Sequence, residues 1–254
     1  MAALDETDEA ALDVITGRST RARHQLTRFV IVRGLGFVYA MSFLGATQQL
    51  PGLIGDEGLL PASLYVSRLQ RLHGGWAFFE QPSLFMAGVS DAGLLLVSWV
   101  GLALALAAMA GVTNAAVMAL LWALHLSIVH VGQTFYGYGW EILLLEAGFL
   151  AIFLCPLRTW RALATEETPA LIVWLYRWLA FRVMFGAGLI KIRGDECWRE
   201  LTCLATHYET QPIPNPLSWW LHHRPLWFHQ SGVLFNHFVE LLVPFFFFGP
   251  WWLR

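Results

Sequence analysis

Charge is what this sequence has little of. Lys, Arg, Asp and Glu make up 13% of its 254 residues, and apolar residues make up 57%, against about 25% and about 45–50% in an ordinary soluble domain. A soluble enzyme and a disordered chain are both excluded, because so few charges cannot keep so much apolar surface in water. A net charge of −2 provides no basic footprint for nucleic acid. Three cysteines are too few for a scaffold built on disulfides. No nucleophile elbow, phosphate-binding loop, dinucleotide glycine pattern or Cys-x-x-Cys pair occurs, and neither a cofactor nor a metal is expected. What remains is a membrane protein.

The few charges are unevenly placed. The 49 residues from 92 to 140 contain no Asp, Glu, Lys or Arg, which leaves room for two crossings of about 20 residues and a turn. The pattern predicts an all-α, polytopic bundle of six spans, at 26–48, 92–110, 115–133, 141–157, 169–192 and 232–250. Residues 1–25 are polar and read as a disordered cytoplasmic tail, and residues 26–254 as the transmembrane domain. Arg18, Arg21, Arg23 and Arg28 flank the first span and place the N-terminus in the cytoplasm by the positive-inside bias. Alternation then predicts a cytoplasmic loop at 158–168, where Arg158 and Arg161 lie. Loops 49–84 and 193–231 fall on the far side: the endoplasmic reticulum lumen in a eukaryote, or outside the inner membrane in a bacterium. The sequence stops at Trp251-Trp252-Leu253-Arg254 without a polar tail, so a further C-terminal portion is expected in the complete protein.

Charges inside a span are costly and normally face the bundle. Glu141 and Glu146 lie on the fourth span, Arg177, Arg182 and Lys191 on the fifth, and Glu240 on the sixth. At 1.5 Å per residue, Glu146 and Arg182 sit at similar depths, about 16 and about 18 Å from one face. They are expected to pair, either as a structural ion pair or as a substrate or proton site. Lys191 follows the small residues Gly186, Ala187 and Gly188, which admit another helix closely. It reads either as a desolvated general base or as a lysine snorkelling to the interface. His125 and His130 are expected to hydrogen-bond between helices, and His237 and Glu240 to share one helix face.

The 193–231 segment is more ordered than a connector needs to be. Asp195 is placed to cap a short helix through about 204. Pro212, Pro214 and Pro216 impose an extended stretch, and Asn215 before Pro216 predicts a second helix from Leu217 to about His223. Trp219, Trp220, Trp227 and Phe228 suit the headgroup layer. Cys197 and Cys203 are six apart and bridge only if the first helix ends or bends between them. Cys155 reads as a small core residue.

These residues also carry a family resemblance. Phe181-Arg182-Val183-Met184-Phe185-Gly186-Ala187-Gly188-Leu189-Ile190-Lys191, Cys197-Trp198-Arg199-Glu200-Leu201-Thr202-Cys203, His207-Tyr208-Glu209-Thr210-Gln211-Pro212 and Asn236-His237-Phe238-Val239-Glu240 resemble the lipase maturation factor family, as does Ile54-Gly55-Asp56-Glu57-Gly58 in the first loop. The resemblance implies a multi-pass protein of the endoplasmic reticulum membrane that helps secreted dimeric lipases, such as lipoprotein lipase, reach their active fold. It implies secreted clients and membrane lipid as partners. The residues expected to face a client or substrate are His207, Tyr208, Glu209, Gln211, Asn215, His237 and Glu240. A more distant resemblance links Ala187-Gly188-Leu189-Ile190-Lys191 to the membrane domain of vitamin K-dependent gamma-glutamyl carboxylase. It implies, as the alternative, a membrane enzyme with Lys191 as general base, although Gln133 and Thr134 stand where that enzyme has a histidine. Scattered intramembrane charge also permits a transporter, which no inverted repeat supports.

Overall fold

The computed structural model describes residues 18–157, 168–213 and 215–250, and among these no strand occurs. The fold is all-α. The expected tail over 1–17, the loop carrying Arg158 and Arg161, Pro214 of the proline stretch and the chain end from Trp251 lie outside the described residues.

Helix α1 runs from Arg18 to Ile54, so residues 18–25 are helical rather than part of a tail. No Gly or Pro interrupts that stretch, and a helix continues through good formers until something stops it. Short elements follow: α2 (Ala62–His73) and α3 (Ala77–Glu80). Helix α4 (Asp91–Ala110) is capped by Ser90, whose Oγ accepts from the Gly93 N–H, and ends at Gly111, held at φ 101°, a value glycine adopts without strain. Helix α5 (Ala115–Val131) begins at the Asn114 cap, and α6 spans Gly139–Leu154. The chain continues as α7 (Ala170–Gly194), α8 (Glu196–Arg199), α9 (Cys203–Thr210), α10 (Ser218–His222) and α11 (Leu226–His237). A π turn over Phe238–Leu242 and a 3-10 turn over Val243–Phe248 extend α11.

Four helical stretches are long and apolar enough to cross a membrane: Gln25–Ile54, Asp91–Ala110, Ala170–Gly194 and Leu226–Phe248. The expected third and fourth spans are the shorter helices α5 and α6, of 17 and 16 residues. At about 25 Å they fall just short of a hydrocarbon core about 30 Å thick. The last helix starts at Leu226, six residues before the expected boundary. The polar run His229-Gln230-Ser231 reads as loop in sequence. It fits the helix because buried His229 donates from Nε2 to the Arg224 carbonyl, 3.0 Å away.

The chain divides near residue 172 into two compact units. In the first, α1 packs on α4, α5 and α6. Tyr39 and Phe43 of α1 are fully buried and meet the His125 ring edge-on at 5.6 and 6.0 Å. Ser42 Oγ lies 3.5 Å from His125 Nδ1. Gly36 lets α1 approach α4, since a Cβ there would lie 2.9 Å from the Met109 backbone nitrogen. In the second unit, Phe181 and Phe185 of α7 meet Phe245 at 5.2 and 5.4 Å. Gly188 lies against Leu241, where a Cβ would come within 2.7 Å. Of the small residues before Lys191, Gly188 admits a neighbouring segment, whereas a Cβ at Gly186 would meet nothing within 4 Å.

Candidate functional site

In the first unit, residues 55–90 are fastened to the end of the bundle where α1 ends and α4 begins. The Asp56 N–H donates to Asp91 Oδ1 at 2.9 Å. Ser83 Oγ donates to the Ser127 carbonyl at 2.9 Å, and Ser127 Oγ accepts from the Leu84 N–H at 3.1 Å. His130 Nδ1 donates to the Pro82 carbonyl at 2.9 Å. Gln133, at φ 51°, donates to the Leu60 carbonyl at 2.9 Å. Burial, with Glu141 nearby, pushes the Tyr136 phenol in the α5–α6 turn up to about 12, which keeps it a neutral hydroxyl. Buried and half-buried side chains therefore fix this segment from below. Above, Trp76 and Phe79 remain 72% exposed, with Phe78 beside them, at ring separations of 5.5 and 5.9 Å. Sequence reading singled out none of these three aromatics, although their clustering within Trp76-Ala77-Phe78-Phe79 in the 49–84 loop was the available signal.

In the second unit, the short helix expected from Asp195 to about 204 is two helices. Asp195 makes no side-chain cap, and the chain turns at Leu201, at φ 60°. That turn brings the Cα atoms of Cys197 and Cys203 to 4.8 Å, and the two cysteines are joined by a disulfide. Cys155 is free and buried. The loop is clamped to the helices beneath it. Lys191 Nζ pairs with Glu240 Oε1, donates to Asn236 Oδ1 at 3.0 Å and lies 4.9 Å from the centre of the Trp198 ring. His237 Nε2 donates to the Trp198 carbonyl at 3.0 Å.

The residues expected to face a client separate into two groups. His207, Glu209, Gln211 and Asn215 are exposed, with Tyr208 half-buried against His229 at 5.8 Å. Gln211 Nε2 lies 2.9 Å from His207 Nε2, and Glu209 is 2.5 Å from His222 Nε2 on α10. Asn215 serves the turn before α10, its Oδ1 accepting from the Leu217 N–H at 2.9 Å. His237 and Glu240 face inward, and the π turn that begins after His237 sends them to different partners. Glu146 lies in the first unit and Arg182 in the second, and each has interactions of its own.

Comparison with known proteins settles the class. The family described as "Lipase maturation factor transmembrane domain" matches residues 26–254. The chain belongs to the lipase maturation factor family. It is 48% identical over 246 residues to lipase maturation factor 1 of Bos taurus, covering 92% of this chain and 44% of that protein. It is 48% identical over 233 residues to lipase maturation factor 1 of Homo sapiens, covering 88% and 41%. With lipase maturation factor 2 of Homo sapiens it shares 37% identity over 250 residues, covering 90% and 35%. The chain thus spans under half the length of these relatives. No solved structure matches it. The carboxylase-like alternative finds no support among these relatives.

Proposed function

We propose that this chain is the membrane part of a maturation factor for secreted lipases, with its client-binding surfaces on the far side of the membrane. The observation that carries the reading is the pinned 55–90 segment of a lipase maturation factor family member. Five side-chain hydrogen bonds hold it, while Trp76, Phe78 and Phe79 stay exposed. A rigid aromatic patch suits a partly folded client, because large rings contribute contact area at low entropic cost. The exposed set His207, Glu209, Gln211 and Asn215 supplies a second, polar surface beside the Cys197–Cys203 turn. In this reading Lys191 is a clamp residue, since a carboxylate, an amide oxygen and an aromatic face complement its cation. The N-terminus lies in the cytoplasm, and the membrane is the endoplasmic reticulum in a eukaryote or the inner membrane in a bacterium.

Photocrosslinking tests this. A photoreactive phenylalanine analogue at position 79 or 207 of the full chain, co-expressed with a secreted dimeric lipase, is expected to capture the lipase before secretion. The same analogue at Leu120, exposed along the apolar helix α5, is expected to capture none. Equal capture at all three positions, or none at 79 and 207, would overturn the reading.

A further inference from the structure

At the opposite end of the first unit, where α1 enters and α4 and α6 end, a small cleft opens among Arg28, Phe29, Val32, Arg33, Thr113 and Leu154. Its depth follows from the helix boundaries. The chain reverses between Ala110 and Ala115 and leaves α6 at Leu154, and the Ala115 N–H donates to the Pro156 carbonyl at 3.0 Å. Helices α4 and α6 end and α5 begins beside the cleft, which puts it at one end of this bundle.

Two guanidinium groups line it. Arg33 packs over the Phe29 ring at 4.8 Å and donates from Nη1 to the Met109 carbonyl at the end of α4. That bond uses one of five N–H donors, and the group packs against Gly111 at the end of α4, so the N–H groups directed away from the helix end are the ones on offer. Arg28 is only 5% exposed. It has contacts of its own, and here it contributes only its charge. Thr113 is also 5% exposed; its hydroxyl makes no well-aligned hydrogen bond and has only the Cys155 thiol, which also lines the cleft, within reach. Phe29, Val32 and Leu154 form an apolar wall beside these polar groups. Arg33 lies inside the expected first span and escaped sequence reading, which weighed charges only on later spans.

We propose that this cleft binds a phosphate ester at headgroup depth, with Arg33 as the principal donor, Thr113 as a second donor and the apolar wall taking the adjoining carbon chain. Guanidinium matches a phosphate in a two-pronged geometry, and basic clefts between transmembrane helices hold lipid phosphates in this manner. The phosphate comes from an anionic glycerophospholipid or from a free phosphate, and one experiment separates the two.

The test is native mass spectrometry of the full chain in nonionic detergent. Dioleoylphosphatidylglycerol, dioleoylphosphatidylcholine or millimolar inorganic phosphate is added in turn. A lipid source is expected to give one retained phosphatidylglycerol per chain, at about tenfold preference over phosphatidylcholine. Inorganic phosphate that alone occupies the chain, or displaces the lipid, assigns the site to a free phosphate. Arg33→Gln is expected to abolish the bound species, Thr113→Val to weaken it about threefold, and Arg33→Lys to retain part of it. Melting of each variant is measured without lipid or phosphate. Arg33→Gln protein that melts early yet keeps the full preference would show that Arg33 only caps α4, and would overturn the proposal. Absence of any preference in the unaltered chain would do the same.

Discussion

Lys191 and Glu240, 49 residues apart in sequence, form one ion pair, and Asn236 bonds to both. The pair ties the end of α7 to the π turn beyond α11. Glu240 lies within that π turn, and His237, just before it, bonds to the Trp198 carbonyl. Both side chains are largely shielded, at 25% and 12% exposure. Removing one partner therefore leaves the other charge poorly solvated, a loss of about 3 kcal/mol. Glu240→Gln and Lys191→Met should each lower the detergent melting temperature, with the double change less harmful than the sum of the two. A double-variant cycle that is additive would contradict the coupling.

The disulfide fixes the thiol count. In unfolded, unreduced protein only Cys155 should take up a maleimide reagent, and after reduction all three cysteines should. Cys197→Ser should cost about 2 kcal/mol through the freed short loop and should also make Cys203 reactive in the folded protein. Three labelled thiols without reductant would count against the bridge.

Gly34 and Gly36 make a matched pair on α1. A Cβ at Gly34 meets nothing within 4 Å, whereas at Gly36 it meets the Met109 nitrogen at 2.9 Å and the Ala105 carbonyl at 3.3 Å. Gly34→Ala should stabilise by about 0.5–1 kcal/mol through helix propensity. Gly36→Ala should destabilise by about 1–3 kcal/mol, because backbone cannot move aside as a flexible side chain does. Melting curves of the two variants should therefore shift in opposite directions.

Glu146 and Arg182 are the pair that depth arithmetic proposes. Each reversal alone, Glu146→Arg or Arg182→Glu, should reduce the yield of monodisperse protein, and the exchange of both should restore much of it. An exchanged protein no better than either single change would remove the pairing.

Much of the architecture was legible because hydropathy accumulates along a chain. The charge-free stretch from 92 to 140 holds α4 and α5. Of the small residues at 186–188, Gly188 is where Leu241 comes close, while Gly186 faces open space. The last helix's boundary was missed because a polar side chain within it, His229, finds a partner in the Arg224 carbonyl just before it. The 193–231 segment was recognised as ordered. The aromatic patch of Trp76, Phe78 and Phe79 was not, because exposure depends on which neighbours the fold supplies.

By itself, the sequence determined the solvent, the all-helical class and the small residues where segments meet, since each follows from local composition and period. Tertiary structure alone decided that Lys191 belongs to Glu240, that Leu201 turns the chain so Cys197 reaches Cys203, that Gln133 holds Leu60, and that Arg33 lies beside Thr113. Those are relations between residues distant in the chain, and a pairwise interaction that falls off within a few ångströms is set by folded distance, not by position along the sequence.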